Sequence, residues 1–182
     1  MKVVFLISVI VNLSYIILII YYLIGWKKTK IFVNSGSAPA NLRVSVVIPF
    51  RNDSKNLEKL LADLANQDFP AECFEIIAIN DHSDDINERK LAGLSQCIHN
   101  GNILELPTEL NGKKMALDYG IRQAKGELIL QTDADCRVTE RWISTFTRFY
   151  ARNNSPELIM GPVDYITESN LASGSRLLNF LV

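Results

Sequence analysis

Hydrophobic positions along the chain fall into two regimes. Residues 3–26 form one unbroken run without a charged side chain, and its only clearly polar members are Ser8, Asn12 and Ser14. Wound as a helix, the stretch 3–24 spans ~33 Å against a hydrocarbon core of ~30 Å, so it is predicted to cross a membrane. From residue 43 onward, short apolar runs alternate with amphipathic stretches. Residues 43–49 (RVSVVIP) are a β-branched run ended by proline and predict a first strand. In 53–67, Leu57, Leu60, Leu61 and Leu64 recur at i, i+3, i+4 and i+7, the apolar stripe of a helix that Phe69-Pro70 then breaks. Residues 74–80 predict a second strand, 87–98 a helix with Leu91, Leu94 and Ile98 inward, and 102–106 a third strand. A helix over 113–124 follows, with Gly126 as its stop, and then the buried strand 128–130. An aromatic-rich helix near 140–150, a fifth strand at 158–163 and the start of a helix at 171–182 complete the pattern. No internal repeat or low-complexity segment interrupts it.

Strand and helix alternating at this spacing mean an α/β fold, a mostly parallel sheet with helices on both faces, preceded here by one transmembrane helix. The expected division is a transmembrane helix at 1–26, a small-residue linker at 27–42 and a sheet domain at 43–182. Tyr21, Tyr22 and Trp26 sit where an interfacial aromatic belt belongs. A signal peptide is the competing reading, but the apolar run is too long and no small-residue cleavage site follows it closely. Lys27, Lys28 and Lys30 follow the helix while only Lys2 and the amino terminus precede it. Positive-inside bias then predicts a single-pass protein of the cell membrane with its globular domain cytoplasmic.

Composition narrows the classes further. A hydrophobic content of 48% excludes a disordered chain, and a net charge of -1 gives no basic signal for nucleic acid. The cysteines Cys73, Cys97 and Cys136 are odd in number and form no Cys-x-x-Cys, which argues against a disulfide framework or a zinc site and for a reducing compartment.

Chemistry concentrates at the strand ends. Asp133 and Asp135 follow the strand 128–130 at spacing i, i+2, which on extended backbone places both on one face. Two carboxylates ~6 Å apart repel by roughly 3 kcal/mol at an effective dielectric of ~20, so folding alone does not ask for them. A hard divalent cation removes that penalty and makes the pair a site for phosphate oxygens. The plainer reading is that they open a solvated loop and cap the next helix. Asp81, after the second strand, can accept from an N–H or a ribose hydroxyl, or simply close an Asx-turn. The run Asp81-x-Ser83-x-Asp85 is not a calcium loop, because Ile86 and Ala92 stand where glycine and glutamate are required. Asn111-Gly112-Lys113-Lys114 opens a helix, where backbone N–H groups and a lysine favour a diphosphate; as a solvated face the two lysines need no ligand. It is not a P-loop, since the upstream glycine and the Ser/Thr after lysine are missing. Parallel sheets bind ligands outside the carboxyl ends of their strands, and the three loops 49–52, 80–83 and 132–135 share that rim.

Taken in order, VSVVIPFRND, FEIIAINDHSDD and NGKKMALDYGIRQAKGELILQTDADC resemble the family-2 glycosyltransferases, over most of residues 43–136. The resemblance is to membrane-anchored, polysaccharide synthase-type members and implies the GT-A nucleotide-diphospho-sugar transferase fold. It implies that Pro49, Phe50, Arg51 and Asn52 hold base and ribose, with Asp81 at the base and Lys113 facing the diphosphate. It also implies that Asp133 lines the sugar-nucleotide pocket and binds a divalent cation, Mg²⁺ or Mn²⁺, together with Asp135. The expected donor is a nucleotide-diphospho-sugar, first of all a UDP-sugar, and the acceptor hydroxyl is unidentified.

Two departures qualify the likeness. The family often has two aspartates where this chain has Asn80-Asp81. The resemblance also implies a downstream catalytic base and, in membrane synthases, a Gln-x-x-Arg-Trp motif with further membrane helices. Glu140, Glu157, Asp164 and Glu168 are the carboxylates after Asp135, and none sits in such a motif. The catalytic base is therefore unassigned, and 43–182 reads as the N-terminal, donor-binding part of a truncated domain. The rival from another class is a membrane-tethered nucleotide-binding module with a regulatory or scaffold role. The apolar end Leu177, Leu178, Phe180, Leu181 and Val182 suits either a partner surface or truncation. A sugar nucleotidyltransferase would need a glycine-rich loop with arginine after the first strand, which Pro49-Phe50-Arg51-Asn52 is not.

Overall fold

The computed structural model describes residues 2–28, 32, 39, 42–98, 100–153 and 156–161. The chain divides into two units, one containing residues 1–33 and 156–182 and the other Asn34–Ser155.

In the first unit, helix α1 (Lys2–Lys28) is apolar on every side and buries none of its residues. It is long and apolar enough to cross a membrane. Its few polar side chains turn back on the helix: Asn12 Nδ2 donates to the Ser8 carbonyl (2.7 Å) and Ser14 Oγ to the Val11 carbonyl (2.8 Å). Such internal bonds satisfy groups that hydrocarbon cannot. Lys27 and Lys28 lie in its last turn, where they also complement the helix dipole.

The second unit is built on a four-stranded sheet in the order β3-β2-β1-β4, with every pairing parallel. The strands are β1 (Val44–Phe50), β2 (Phe74–Asn80), β3 (Gly101–Glu105) and β4 (Leu128–Gln131). Val47 is level with Ile77 on one side and Gln131 on the other. All seven residues of β1 are buried, so this strand is covered on both faces. On one face Val47, Ile77 and Ile79 pack with Leu106 and with Ala116 of helix α4 (Lys113–Gln123). Val44, Val46 and Ile48 point the other way and are equally inaccessible. Helix α2 (Ser54–Ala65) contributes Leu57, Leu60, Leu61 and Leu64 to the core, all with no exposure, and helix α5 (Trp142–Arg152) contributes Ile143, Phe146 and Phe149.

Boundaries differ from the sequence expectation by a few residues, and the ends are set by local bonds. Helix α3 (Glu88–Gln96) starts after Asn87, whose side chain accepts from Lys90 N–H at 2.9 Å. Helix α2 begins at Ser54 rather than Asp53, and Asp53 makes no capping bond of its own. The cap comes from another loop: the Asp85 carboxylate accepts from Ser54 N–H (3.1 Å) and Ser54 Oγ (2.5 Å). Chiefly that hydroxyl bond, offset in part by burial, holds the Asp85 carboxyl below the ordinary aspartate value of 3.8. Gly126 is not the stop of α4, which ends at Ala124 in extended backbone. It is small because a Cβ there would lie 2.5 Å from Ser45 N and 2.7 Å from Val44 C. Its N–H donates to Ser45 Oγ (2.8 Å), which in turn donates to Glu75 Oε1 (2.6 Å), so the serine inside β1 is fully paired. Across 156–161 Met160 makes an isolated β-bridge rather than part of a strand, and Leu158 and Met160 are exposed. Residues 162–163 of the expected fifth strand and the helix start at 171–182 lie outside the described residues.

Two glycine substitutions are expected to act with opposite signs. Gly126→Ala forces a methyl against backbone atoms and should destabilise by about 1–3 kcal/mol. Gly93→Ala meets nothing within 4 Å in mid-helix and should stabilise by about 0.5–1 kcal/mol. Denaturant midpoints at constant m check both. Loss of the Asp85 cap in Asp85→Ala should cost about 1 kcal/mol at pH 7. Because the folded carboxyl titrates below 3.8, its contribution is present above that pH and disappears as pH falls through the lowered value. The gap between wild type and Asp85→Ala should therefore close on acidification, as read from unfolding curves between pH 7 and pH 2.

Candidate functional site

β1 lies between β2 and β4, so the chain leaves it toward one side of the sheet and later returns on the other. Loops diverge at such a reversal and open a crevice at the carboxyl ends of the strands. A cavity of about 230 Å³ occupies that position, lined by Pro49, Phe50, Arg51, Asp53, Asp81, Lys113, Asp133, Ala134 and Asp135. The tips of β1, β2 and β4 and the amino end of α4 all reach it. Seven of the eight residues singled out from sequence are therefore in one place; the exception is Asn52.

Asn52 serves the loops instead. Its backbone is left-handed (φ 53°), which asparagine tolerates better than most residues. Its N–H donates to Ser83 Oγ (2.9 Å) and its Oδ1 accepts from Asp84 N–H (2.7 Å), a two-way staple between the tips of β1 and β2. Asn80 closes the turn after β2: Oδ1 accepts from Ser83 N–H (3.0 Å), while Nδ2 donates to both Glu105 carboxylate oxygens (3.0 Å each). The turn-closing role weighed for Asp81 belongs to its neighbour.

Asp81 is only 4% exposed, and both of its oxygens accept from Gly112 N–H at 3.1 and 3.2 Å. Arg51 Nη1 stands 3.8 Å from Asp81 Oδ2 and donates to Asn111 Oδ1 at 3.3 Å. His82, also left-handed, places Nε2 3.0 Å from the Leu110 carbonyl. The loop that leads into α4 is thus clamped by consecutive side chains of the β2 tip. Ser83 and Asp85 are engaged with Asn52 and Ser54, so these two side chains spend oxygens on protein donors.

Across the pocket, Lys113 Nζ donates to Asp133 Oδ2 at 2.7 Å, with both side chains well exposed. Cys136 N–H donates to the Asp133 carbonyl (3.1 Å), which folds the acidic stretch into a tight turn. Among the described residues no three His, Cys, Asp or Glu side chains converge as a ready-made metal cage. Asp133 and Asp135 offer hard oxygen donors at the mouth of one pocket. That set fits Mg²⁺ or Mn²⁺, which commonly take one or two protein carboxylates and complete their shell with water and substrate phosphate. Sequence reasoning did not single out Asp53 or Ala134 as lining. Asp53 was assigned to the helix it precedes, and an alanine carries no chemical signal.

Comparison with known proteins places this architecture. Residues 45–177 match the model of the family described as Glycosyl transferase family 2. Glycosyltransferase AglE of Haloferax volcanii is 29% identical over 100 residues, covering 55% of this chain and 33% of that protein. The poly(ribitol-phosphate) beta-N-acetylglucosaminyltransferase TarS of Staphylococcus aureus is 27% identical over 119 residues, covering 65% and 21%. Among solved structures, the mannosyltransferase PcManGT from Pyrobaculum calidifontis in complex with GDP-Man and Mn²⁺ aligns with a TM-score of 0.61 at 26% identity, over 73% of this chain and 39% of that one. Residues 1–349 of S. aureus TarS in complex with UDP-GlcNAc align with a TM-score of 0.54 at 27% identity, over 62% and 32%. These matches span between 21% and 39% of the relatives' own lengths. The family match runs over most of the chain and the neighbours share its parallel sheet, so the chain belongs to glycosyl transferase family 2 and has the GT-A fold.

Proposed function

We propose that this chain forms the donor-binding part of a glycosyltransferase that takes a sugar from a nucleotide-diphospho-sugar, with a divalent cation held by Asp133 and Asp135. The observation that carries the reading is the convergence of Asp81, Lys113 and the pair Asp133 and Asp135, from three separate segments, on one pocket. The solved relatives with UDP-GlcNAc and with GDP-Man and Mn²⁺ support it. A UDP-sugar is the first candidate donor. In this reading residues 1–26 anchor the chain in the cell membrane, 27–42 link, and 43–182 lie on the cytoplasmic face. The charges Lys27 and Lys28 at the end of α1 support that orientation.

Each group has a distinct task. Pro49, Phe50 and Arg51 form the wall for base and ribose, and Asp81 sits at the base side while fixing Gly112. Lys113 supplies a positive point charge to the diphosphate. The amino end of α4 adds its exposed N–H groups and dipole, which favour the same anion. The cation, when bound, supplies Lewis-acid stabilisation of the leaving diphosphate. An acceptor hydroxyl attacking the anomeric carbon gives up its proton to a general base. Glu140 does not line the pocket, Glu157 belongs to the other unit, and Asp164 and Glu168 lie outside the described residues. We assign the base to none of them, and expect donor binding by this chain with little or no transfer by it alone.

Calorimetric titration of the full chain in detergent micelles with UDP, with and without Mn²⁺, tests the site. Mn²⁺-dependent UDP binding is expected, and it should be lost in Asp133→Asn and Asp135→Asn. A folded sample with no metal-dependent binding at millimolar UDP would overturn the reading. Lys113→Met should weaken UDP binding about tenfold, the worth of one charge-assisted hydrogen bond, and leave uridine binding unchanged. Equal losses for UDP and uridine would remove Lys113 from the diphosphate.

A further inference from the structure

The stretch that follows the acidic pair is irregular, yet it is fastened at almost every residue to the far end of α2. Arg137 presents its guanidinium fork to Asp63, with Nε 2.5 Å from Oδ2 and Nη2 2.6 Å from Oδ1. Val138 N–H donates to the same Oδ2 at 3.3 Å. Gln67 Nε2 donates to the Thr139 carbonyl (2.7 Å), and Gln67 Oε1 accepts from Ile143 N–H (3.0 Å). Asp68 N–H donates to the Glu140 carbonyl at 2.8 Å. On the other side of the acidic turn, Thr132 N–H donates to the Val47 carbonyl at 3.4 Å, extending the β1–β4 ladder.

The turn carrying Asp133 and Asp135 is therefore slung between two fixed supports, the central sheet and the carboxyl end of α2. Asp63 is mostly buried, with 15% of its side chain exposed, and lies outside the pocket lining. Burial and a two-point fork give this pair a defined geometry that a solvated lysine–carboxylate contact lacks. Arg137 is two residues from Asp135, so a tilt of the fork moves the acidic turn directly. Cation sites with few protein ligands are sensitive to such shifts, because octahedral geometry tolerates little displacement.

We propose that Asp63, acting through Arg137, is a positioning residue for the acidic pair: it sets the placement of Asp133 and Asp135 toward cation and diphosphate without touching either. This inference rests on the donor-site reading above. It predicts a split that general loosening of the fold does not produce. Cation-free UDP binding uses the β1 and β2 tips and Lys113, and is left alone; the gain in affinity on adding Mn²⁺ depends on the turn, and falls.

The test measures UDP affinity of the full chain with and without Mn²⁺ for wild type, Asp63→Asn, Arg137→Met and Arg137→Lys, alongside denaturation midpoints. The expected result is a roughly tenfold loss of the Mn²⁺-dependent gain in Asp63→Asn and Arg137→Met, with cation-free affinity within twofold of wild type. Arg137→Lys, which keeps the charge but not the fork, should recover part of the gain. An unchanged Mn²⁺ gain in Arg137→Met overturns the inference, as does a parallel fall of both affinities with the denaturation midpoint. A wild-type chain with no Mn²⁺ response overturns the donor-site reading itself, and this inference with it.

Discussion

A strand buried at all seven of its positions governs this molecule. β1 is hydrogen-bonded on both edges to parallel neighbours and covered on both faces, so most of it is committed to the interior, and only its tip, Pro49 and Phe50, reaches the pocket. Parallel pairing requires a crossover after every strand and sends all the strand ends to the same rim. Because β2 lies on one side of β1 and β4 on the other, the crossovers diverge at β1 and leave the crevice there. The pocket is a consequence of how the core is wound.

Polar groups at that rim divide into two kinds of work. Asn52, Asn80, Ser83 and Asp85 spend their hydrogen-bonding capacity on the loops, stapling the β1 tip to the β2 tip and capping α2 from outside. Asp133, Asp135 and Lys113 keep exposed charge at the pocket. Asp81 does both, since its buried carboxylate fixes Gly112 while forming part of the pocket wall. Fixed groups thus support exposed ones, and organising charges in advance removes part of the ordering cost of binding.

Membership in glycosyl transferase family 2 joins this geometry to a reaction class. The chain spans at most 39% of the relatives named above. The pocket forms within that portion because all of its lining comes from residues 49–135.

Periodicity alone determined the strands β1 to β4, the helices α1 to α5 and the parallel α/β class, though not the expected fifth strand, since burial on one stripe or on a whole short run leaves a direct imprint on residue order. The leucines of α2 and the run VSVVIPF needed no structure to be recognised as core. The strand-end placement of Pro49, Phe50, Arg51, Asp81, Asp133 and Asp135 was legible for the same reason, and Lys113 from its position at a helix start. Contacts between residues dozens of positions apart were not legible. Asn52 as a staple, Asp85 as a cap for α2, Gly126 as a close-approach glycine and the Asp63–Arg137 fork all depend on which loops meet in space. Local sequence encodes the conformation of a segment, whereas a partner 31 or 74 residues away is selected only when the packed core brings the two loops together.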